Sequence, residues 1–195
     1  MKLIDIAPVA VWQRLAQEIY DKFGFNGSIV DRDGVVVHPP AGWANKVCPA
    51  IKGNDDSRVV CSSAQMAMAE TARTSKKTVI KKCDVGFTKF VVPIFVNEEF
   101  LGTAGGCGIL VEGDELDEFY IAKLLHIEEE EVKKLVETVK TSPRDKLKAA
   151  VDFVQNRLTE LVPSADKLAE STASLAEKKI ESADVVPSSE KSLSR

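Results

Sequence analysis

The chain has 195 residues, 44% of them hydrophobic and 29% charged, enough apolar content for one compact domain with extensions and too little length for two full domains. Its net charge of −4, with no basic stripe interleaved with aromatic residues, argues against direct nucleic-acid binding. Asp5, Gln13 and Arg14 interrupt the N-terminus before a signal-peptide core could form, and no stretch reaches transmembrane length, so the expectation is a soluble cytoplasmic protein with reduced cysteines.

From Val9 to Phe23, apolar residues at Val9, Trp12, Leu15, Ala16, Ile19 and Phe23 recur at helical spacing, and Gly24 stands where a C-terminal cap belongs. Ser28-Ile29-Val30 and Val35-Val36-Val37 flank Asp31-Arg32-Asp33-Gly34, two β-branched runs around an Asp-Gly turn that predict a hairpin ended by His38-Pro39-Pro40. Between Asp55 and Thr74, a stretch rich in Ala, Met and Ser follows the cap region Gly53 to Ser57 and predicts a helix with Cys61 near its start. Thr78-Val79-Ile80, Lys89 to Val96 and Phe100 to Val111 read as strands, the last two joined by a turn at Asn97-Glu98-Glu99. This order gives an α+β fold with an antiparallel sheet and flanking helices, the arrangement of PAS-like sensor domains.

Asp114 to Leu125 and Glu128 to Val139 are helical in pattern, and the acidic run Glu128 to Glu131 suits a solvated helix N-terminus. Ser142-Pro143 opens a further helix in which Leu147, Val151, Val154, Leu158 and Leu161 step by 4, 3, 4 and 3 residues, a heptad seam. Such a seam serves either to fold the helix back on its own domain or to pair it in a parallel homodimer. The register continues past Pro163 through Ala165, Leu168, Thr172 and Leu175, and from Glu177 the composition predicts disorder. The expected organisation is a PAS-like sensory domain over 1–140, an amphipathic helix over 141–162 and a polar, largely disordered tail over 163–195.

Cys48, Cys61, Cys83 and Cys107 lie 13, 22 and 24 positions apart, so no Cys-x-x-Cys knuckle announces zinc and no ferredoxin-type run announces an iron–sulfur cluster. Any shared site must be assembled by the fold. Cys83 and Cys107 have glycine close by, which lets a backbone approach closely, and Cys61 sits where a helix dipole lowers a thiol pKa. Four converging thiolates would hold a metal at about 2.3 Å or an iron–sulfur cluster; the competing readings are buried small hydrophobes and thiols that are themselves the redox chemistry. His38 and His126 lie in no nucleophile motif, and the glycine-rich run Gly102 to Gly108 looks embedded in a strand, so no enzymatic activity is expected. Strand alternation makes Phe90 and Val92 on one strand, with Cys107 and Ile109 on another, the candidate lining of a ligand pocket on the sheet's concave face, together with Cys83.

The segment from Ala10 to Val111 resembles the PocR sensory domain, a PAS-like ligand-binding domain of bacterial and archaeal regulators, histidine kinases and chemoreceptors. The matching features are Cys48 followed by Gly53, Cys61 opening the Ala-rich helix, Cys83-Asp84-Val85-Gly86-Phe87, Val92-Pro93-Ile94, and Leu101-Gly102 before Gly105-Gly106. Ser62-Ser63 stand where the family commonly has an acidic residue, Phe87 where it has leucine and Cys107 where it has glutamine; the added thiol points to a four-thiolate site. The resemblance implies sensing of a small molecule, such as a small hydrocarbon derivative, and signalling to an output protein of kinase, regulator or chemoreceptor type. The expected function is therefore a non-catalytic sensory domain that binds a small ligand or a cysteine-held metal. A cysteine-based redox sensor and a structural interaction module acting through the C-terminal helix are the alternatives.

Overall fold

The computed structural model describes residues 1–38 and 41–162; the expected tail over 163–195, with its heptad positions, lies outside them, as do Pro39 and Pro40. In chain order the elements are α1 (Leu3–Ile6), α2 (Val9–Phe23), β1 (Asn26–Asp31), α3 (Val47–Lys52), α4 (Arg58–Ser75), β2 (Val79–Lys82), β3 (Thr88–Val96), β4 (Glu99–Val111), α5 (Glu118–Leu125), α6 (Glu129–Val136), β5 (Thr141–Ser142) and α7 (Arg144–Leu161). This is the α+β architecture expected, an antiparallel sheet flanked by helices. α2 buries the stripe Trp12, Leu15, Ala16 and Ile19, and Gly24 caps it in a left-handed conformation with its N–H on Tyr20 O at 2.8 Å. Trp12 Nε1 donates to Leu3 O and Ala7 O, both at 3.0 Å, which ties α1 to α2.

The sheet runs β1-β4-β3-β2 with antiparallel neighbours, and β5 adds a parallel pair to the end of β4. Asn97 and Glu98, with φ of 47° and 67°, make the two-residue turn between β3 and β4. The second strand of the expected Asp-Gly hairpin is reduced to one bridge, Val30 to Val36. The turn itself forms, with the Asp31 N–H on Val35 O at 2.9 Å, but Val35 and Val36 are exposed. With no layer to pack against, alternation there gains no burial and pairing stops.

A helical layer covers each face of the sheet. A Cβ on Gly27 would lie 2.1 Å from the Ala16 carbonyl oxygen, so α2 rests directly on β1 at that point. Gly27 registers with Gly106 and Gly106 with Phe90, which puts Phe90 on the α2 face; Ile29, Ala104 and Val92 follow by alternation. Phe25 meets Phe90 edge-on at 5.3 Å. α7 packs beside α2 and against β3 and β4, burying Ala150, Val151, Val154 and Leu158. Phe153 contacts Phe23 at 5.4 Å and Arg157 pairs with Glu18 at 3.2 Å. The centre of the heptad seam is thus used within the chain, each buried Val or Leu stabilising by about 1.5–3 kcal/mol. On the opposite face Met68 and Ala72 of α4 pack on Val79 and Val91, and Gln65 Nε2 donates to Thr103 Oγ1 at 3.0 Å.

A separate apolar cluster joins α3 (Val47, Cys48, Ile51), the turn before β3 (Val85, Phe87), α5 (Ile121, Ala122) and α6 (Val132), with Cys61 and Cys83 packed against it.

Candidate functional site

The four cysteines come from four different elements and all are free thiols. Cys48, on α3, is buried; its N–H donates to Asn45 Oδ1 at 2.8 Å. Asn45 Nδ2 lies 3.4 Å from Cys48 Sγ and 2.6 Å from Gly108 O, so this one side chain fastens α3 to β4 beside Cys107. Cys61 lies in the first turn of α4. Cys83 follows β2 in a tight turn closed by its own N–H on Phe87 O (2.9 Å) and by the Gly86 N–H on Cys83 O (2.8 Å), and the Val85 and Phe87 amides donate toward its sulfur. Cys107 registers opposite Asn26.

Burial pushes the Cys48 thiol far above its ordinary value; Cys107, and more weakly Cys61 and Cys83, oppose its ionisation further, while the Asn45 amide favours it. Burial also raises Cys61, with Lys52 and Lys89 working against the rise and Cys107 and Asp84 adding to it. At Cys83 burial again dominates, Cys107 and Cys61 add to it, and the Val85 and Phe87 amides oppose it. Every pair among the four thiols therefore interacts electrostatically. In such a site each ionisation hinders the next, and a cation among the sulfurs reverses that penalty.

As the side chains stand, no three His, Cys, Asp or Glu among the described residues form a group able to hold a metal ion. A single tetrahedral ion needs its sulfurs all at about 2.3 Å from one point. The thiols are within electrostatic range of one another without forming such a group.

Phe90, Val92 and Ile109 do not join Cys107. Along β4 an extra residue is inserted, since Phe90 registers with Gly106 but Thr88 with Ile109, and Gly108 takes a φ of 90° there. Alternation carried across this bulge reverses, which sends Ile109 to the face of Phe90 and Val92 and leaves Cys107 on the other. Phe90, Val92 and Ile109 are buried at 0, 6 and 2% exposure, and Ile109 floors an open cleft of about 430 Å³ beside Tyr20, Trp43 and Lys146. On the Cys107 face, the space beneath α4 bounded by Ser28, Gln65, Lys89 and Thr103 is about 10 Å³. That is room for about one water molecule.

Two asparagines that the sequence reading passed over belong to this site. Asn26 is 4% exposed; its Oδ1 accepts the Ala44 N–H at 2.6 Å, and its Nδ2 has no acceptor among the described residues. A Cβ on Gly108 would fall 2.2 Å from Asn26 Nδ2 and 3.3 Å from Asn45 Nδ2, so the two amides share the space that this glycine leaves. Asn45, three residues before Cys48, had a readable signal as a local backbone-capping side chain, whereas Asn26 had none. Of the two histidines, His38 is buried with Nε2 accepting the Ile29 N–H at 3.0 Å, and His126 ends α5 exposed, in a left-handed conformation.

No helix among the described residues is long and apolar enough to cross a membrane. Neither the curated proteins nor the solved structures compared with the chain give a match. The family model of the sensory domain found in PocR matches residues 5–165, a span that contains the sheet, all four cysteines, both asparagines and α7. The chain belongs to the PocR sensory-domain family.

Proposed function

We propose that this sensory domain reads its signal at the four-thiol site, through an iron–sulfur cluster or another thiolate-bound metal group, and relays it to a partner output protein. What supports the reading is that Cys48, Cys61 and Cys83, from α3, α4 and the turn after β2, meet at one apolar cluster, with Cys107 of β4 in electrostatic range of all three. Cys48, Cys61, Cys83 and Cys107 would be the ligands. A cluster bound there supplies one-electron redox chemistry and sensitivity to oxidants.

The chain's own residues suit that role. The Val85 and Phe87 amides at Cys83, and the Asn45 amide at Cys48, stabilise thiolates. Lys52 and Lys89 offset negative charge at Cys61. Ile121, Ala122 and Val132 cover the site with apolar surface, which limits water. The space beside Cys107 beneath α4 is too small for an organic ligand, whereas a cleft of about 820 Å³ opens farther along α4, lined by Arg32, Gln65, Met66 and Arg73. Relay is supported by chain continuity: three residues beyond Cys107, the Leu110 N–H meets Lys140 O at 3.1 Å, and β5 then leads directly into α7. Movement at Cys107 is thereby applied to the base of α7, whose face away from α2 and the sheet would carry the signal on.

The test is anaerobic purification followed by iron, sulfide and zinc analysis and a visible spectrum, on the wild type and on Cys83→Ser. The reading expects several iron atoms and matching sulfide per chain in the wild type, and loss of most of both in the variant. A colourless, metal-free wild type overturns it. Free thiols in mutual range also favour a second reading, a reversible disulfide, which such a metal-free protein would support if oxidant removed two titratable thiols per chain.

A further inference from the structure

The open cleft of about 430 Å³ floored by Ile109 belongs to neither the thiol site nor the core. Its walls come from three places in the chain: the last turn of α2, the segment at Trp43 and Ala44, and the stretch from Lys140 through β5 to Lys146 at the start of α7. The charges on those walls are one-sided. Lys22, Lys140 and Lys146 line the cleft and pair with no carboxylate among the described residues; Lys22 Nζ stands instead over the Phe153 ring, 4.7 Å from its centroid. Asp21 is the one acidic residue of the lining, and its Oδ1 is taken by Gln17 Nε2 at 2.9 Å. Lysines without a counter-charge in a concave site raise the local concentration of anions. The larger cleft along α4, about 820 Å³, gives no such sign, because its cations are already paired, Arg32 with Glu99 at 2.6 Å and Arg73 with Glu70 at 2.8 Å.

The rest of the lining says what kind of anion fits. Tyr20 is held by its hydroxyl on Trp43 O at 3.4 Å, with its ring against Gly42. Trp43 is 37% exposed, an indole at the surface that the core does not use, and Lys52 Nζ lies 5.2 Å from its ring centroid. Ile109 adds aliphatic surface at the floor. The volume is at the low end of the roughly 300–1,000 Å³ of small-molecule sites. We infer that this cleft binds a small aromatic carboxylate, its charge met by Lys140 and Lys146 and its ring lying along Trp43 and Tyr20. An ammonium group is a compact charge with three rotatable donors, which suits a carboxylate without demanding a fork geometry. Lys140 and Lys146 stand on either side of β5, so an anion held between them and the end of α2 fastens the base of α7 to α2. The ligand acts on the same helix as the thiol site but through a different surface, and the inference does not rest on the four-thiol reading.

The experiment uses the full chain with benzoate as the probe, titrated by calorimetry and by tryptophan fluorescence, beside benzyl alcohol as the uncharged analogue and inorganic phosphate as the anion without a ring. Benzoate should bind saturably, one per chain, and about tenfold or more tighter than either control. Lys140→Gln and Lys146→Gln, both at exposed positions where the fold tolerates change, should each weaken it about tenfold, and Lys81→Gln, an exposed lysine on β2 away from the cleft, should bind as the wild type does. Amide exchange over residues 144–147 should slow when benzoate is bound. Absence of saturable benzoate binding overturns the inference, as does equal weakening in all three lysine variants, which would make the attraction one of overall charge. Phosphate binding as tightly as benzoate refutes the aromatic part, and unchanged exchange at the start of α7 refutes the link to that helix.

Discussion

Substituting Gly108 and Gly113 by alanine, one at a time, separates backbone strain from crowding at the thiol site. The two glycines have nearly the same φ, 90° and 87°. Around Gly113 an added Cβ meets nothing within 4 Å, so Gly113→Ala carries only the left-handed penalty, about 1–2 kcal/mol. At Gly108 the same Cβ falls 2.2 Å from Asn26 Nδ2 and 2.9 Å from Asn26 Cγ, contacts that can be relieved only by expelling the amide. Expulsion breaks the 2.6 Å bond from Ala44 and leaves a buried group unsatisfied, a further cost of about 1–3 kcal/mol. Gly108→Ala should therefore lose about 2–5 kcal/mol in all, a large share of a typical domain stability of about 5–15 kcal/mol. Urea unfolding of metal-free protein, followed by circular dichroism with the slope m held common to both variants, measures the difference. If the two variants unfold within about 0.5 kcal/mol of each other, Asn26 is not pinned as described and the packing argument fails.

Asp114 gives a pH-dependent prediction. Burial opposes its ionisation, but Lys82 Nζ at 2.8 Å, the Thr88 hydroxyl at 2.5 Å and the Val111 amide at 3.3 Å outweigh that and hold the carboxyl below its ordinary value. A depressed carboxyl contributes stability above its unfolded pKa of about 3.9 and loses it as pH falls through the lower folded value. Asp114→Asn should be about 1–3 kcal/mol less stable than wild type at neutral pH, and the gap should close in acid; a gap that stays constant from pH 7 to pH 2.5 contradicts this. Val154, fully buried on α7, tests where that helix belongs. Val154→Asp should destabilise by more than about 3 kcal/mol regardless of protein concentration, because the seam packs on the chain's own sheet and α2. A loss that grows on dilution would put the seam in a subunit interface instead.

The sequence made the sheet and long helices readable wherever a local period coincided with a layer that could use it. α2 carries a helical repeat, α4 a helix-forming composition behind a cap region, β3 a β-branched and aromatic run joined to β4 by a tight turn, and α7 a heptad. The second hairpin strand had the right residues, yet nothing covers Val35 and Val36, and this could not be read locally. α3 stayed hidden because Cys48-Pro49 reads as a loop. Proline is tolerated in a first helical turn, and Pro49 is the third residue of α3. The four cysteines could be named as a site but not arranged, because arrangement depends on contacts such as Asn45 to Gly108, 63 positions apart. Pocket lining failed at the bulge, where one unseen extra residue reversed the alternation.

That inserted residue makes β4 intolerant of changes in length rather than of changes in kind. Ahead of the bulge the strand presents Cys107 to one helical layer, and beyond it Ile109 to the other, just before β5 pairs at Leu110 and Val111. A conservative replacement of Ile109 would disturb packing locally. Deleting one residue between Gly106 and Ile109 would instead remove the extra residue, leaving Ile109 opposite Thr88 but taking away either the Cys107 thiol or the room in which the Asn26 and Asn45 amides lie. One-residue deletions scanned along β4 should therefore be far more damaging here than at the hairpin tip around Asn97 and Glu98, where the strands end and a shorter turn has no second layer to misplace.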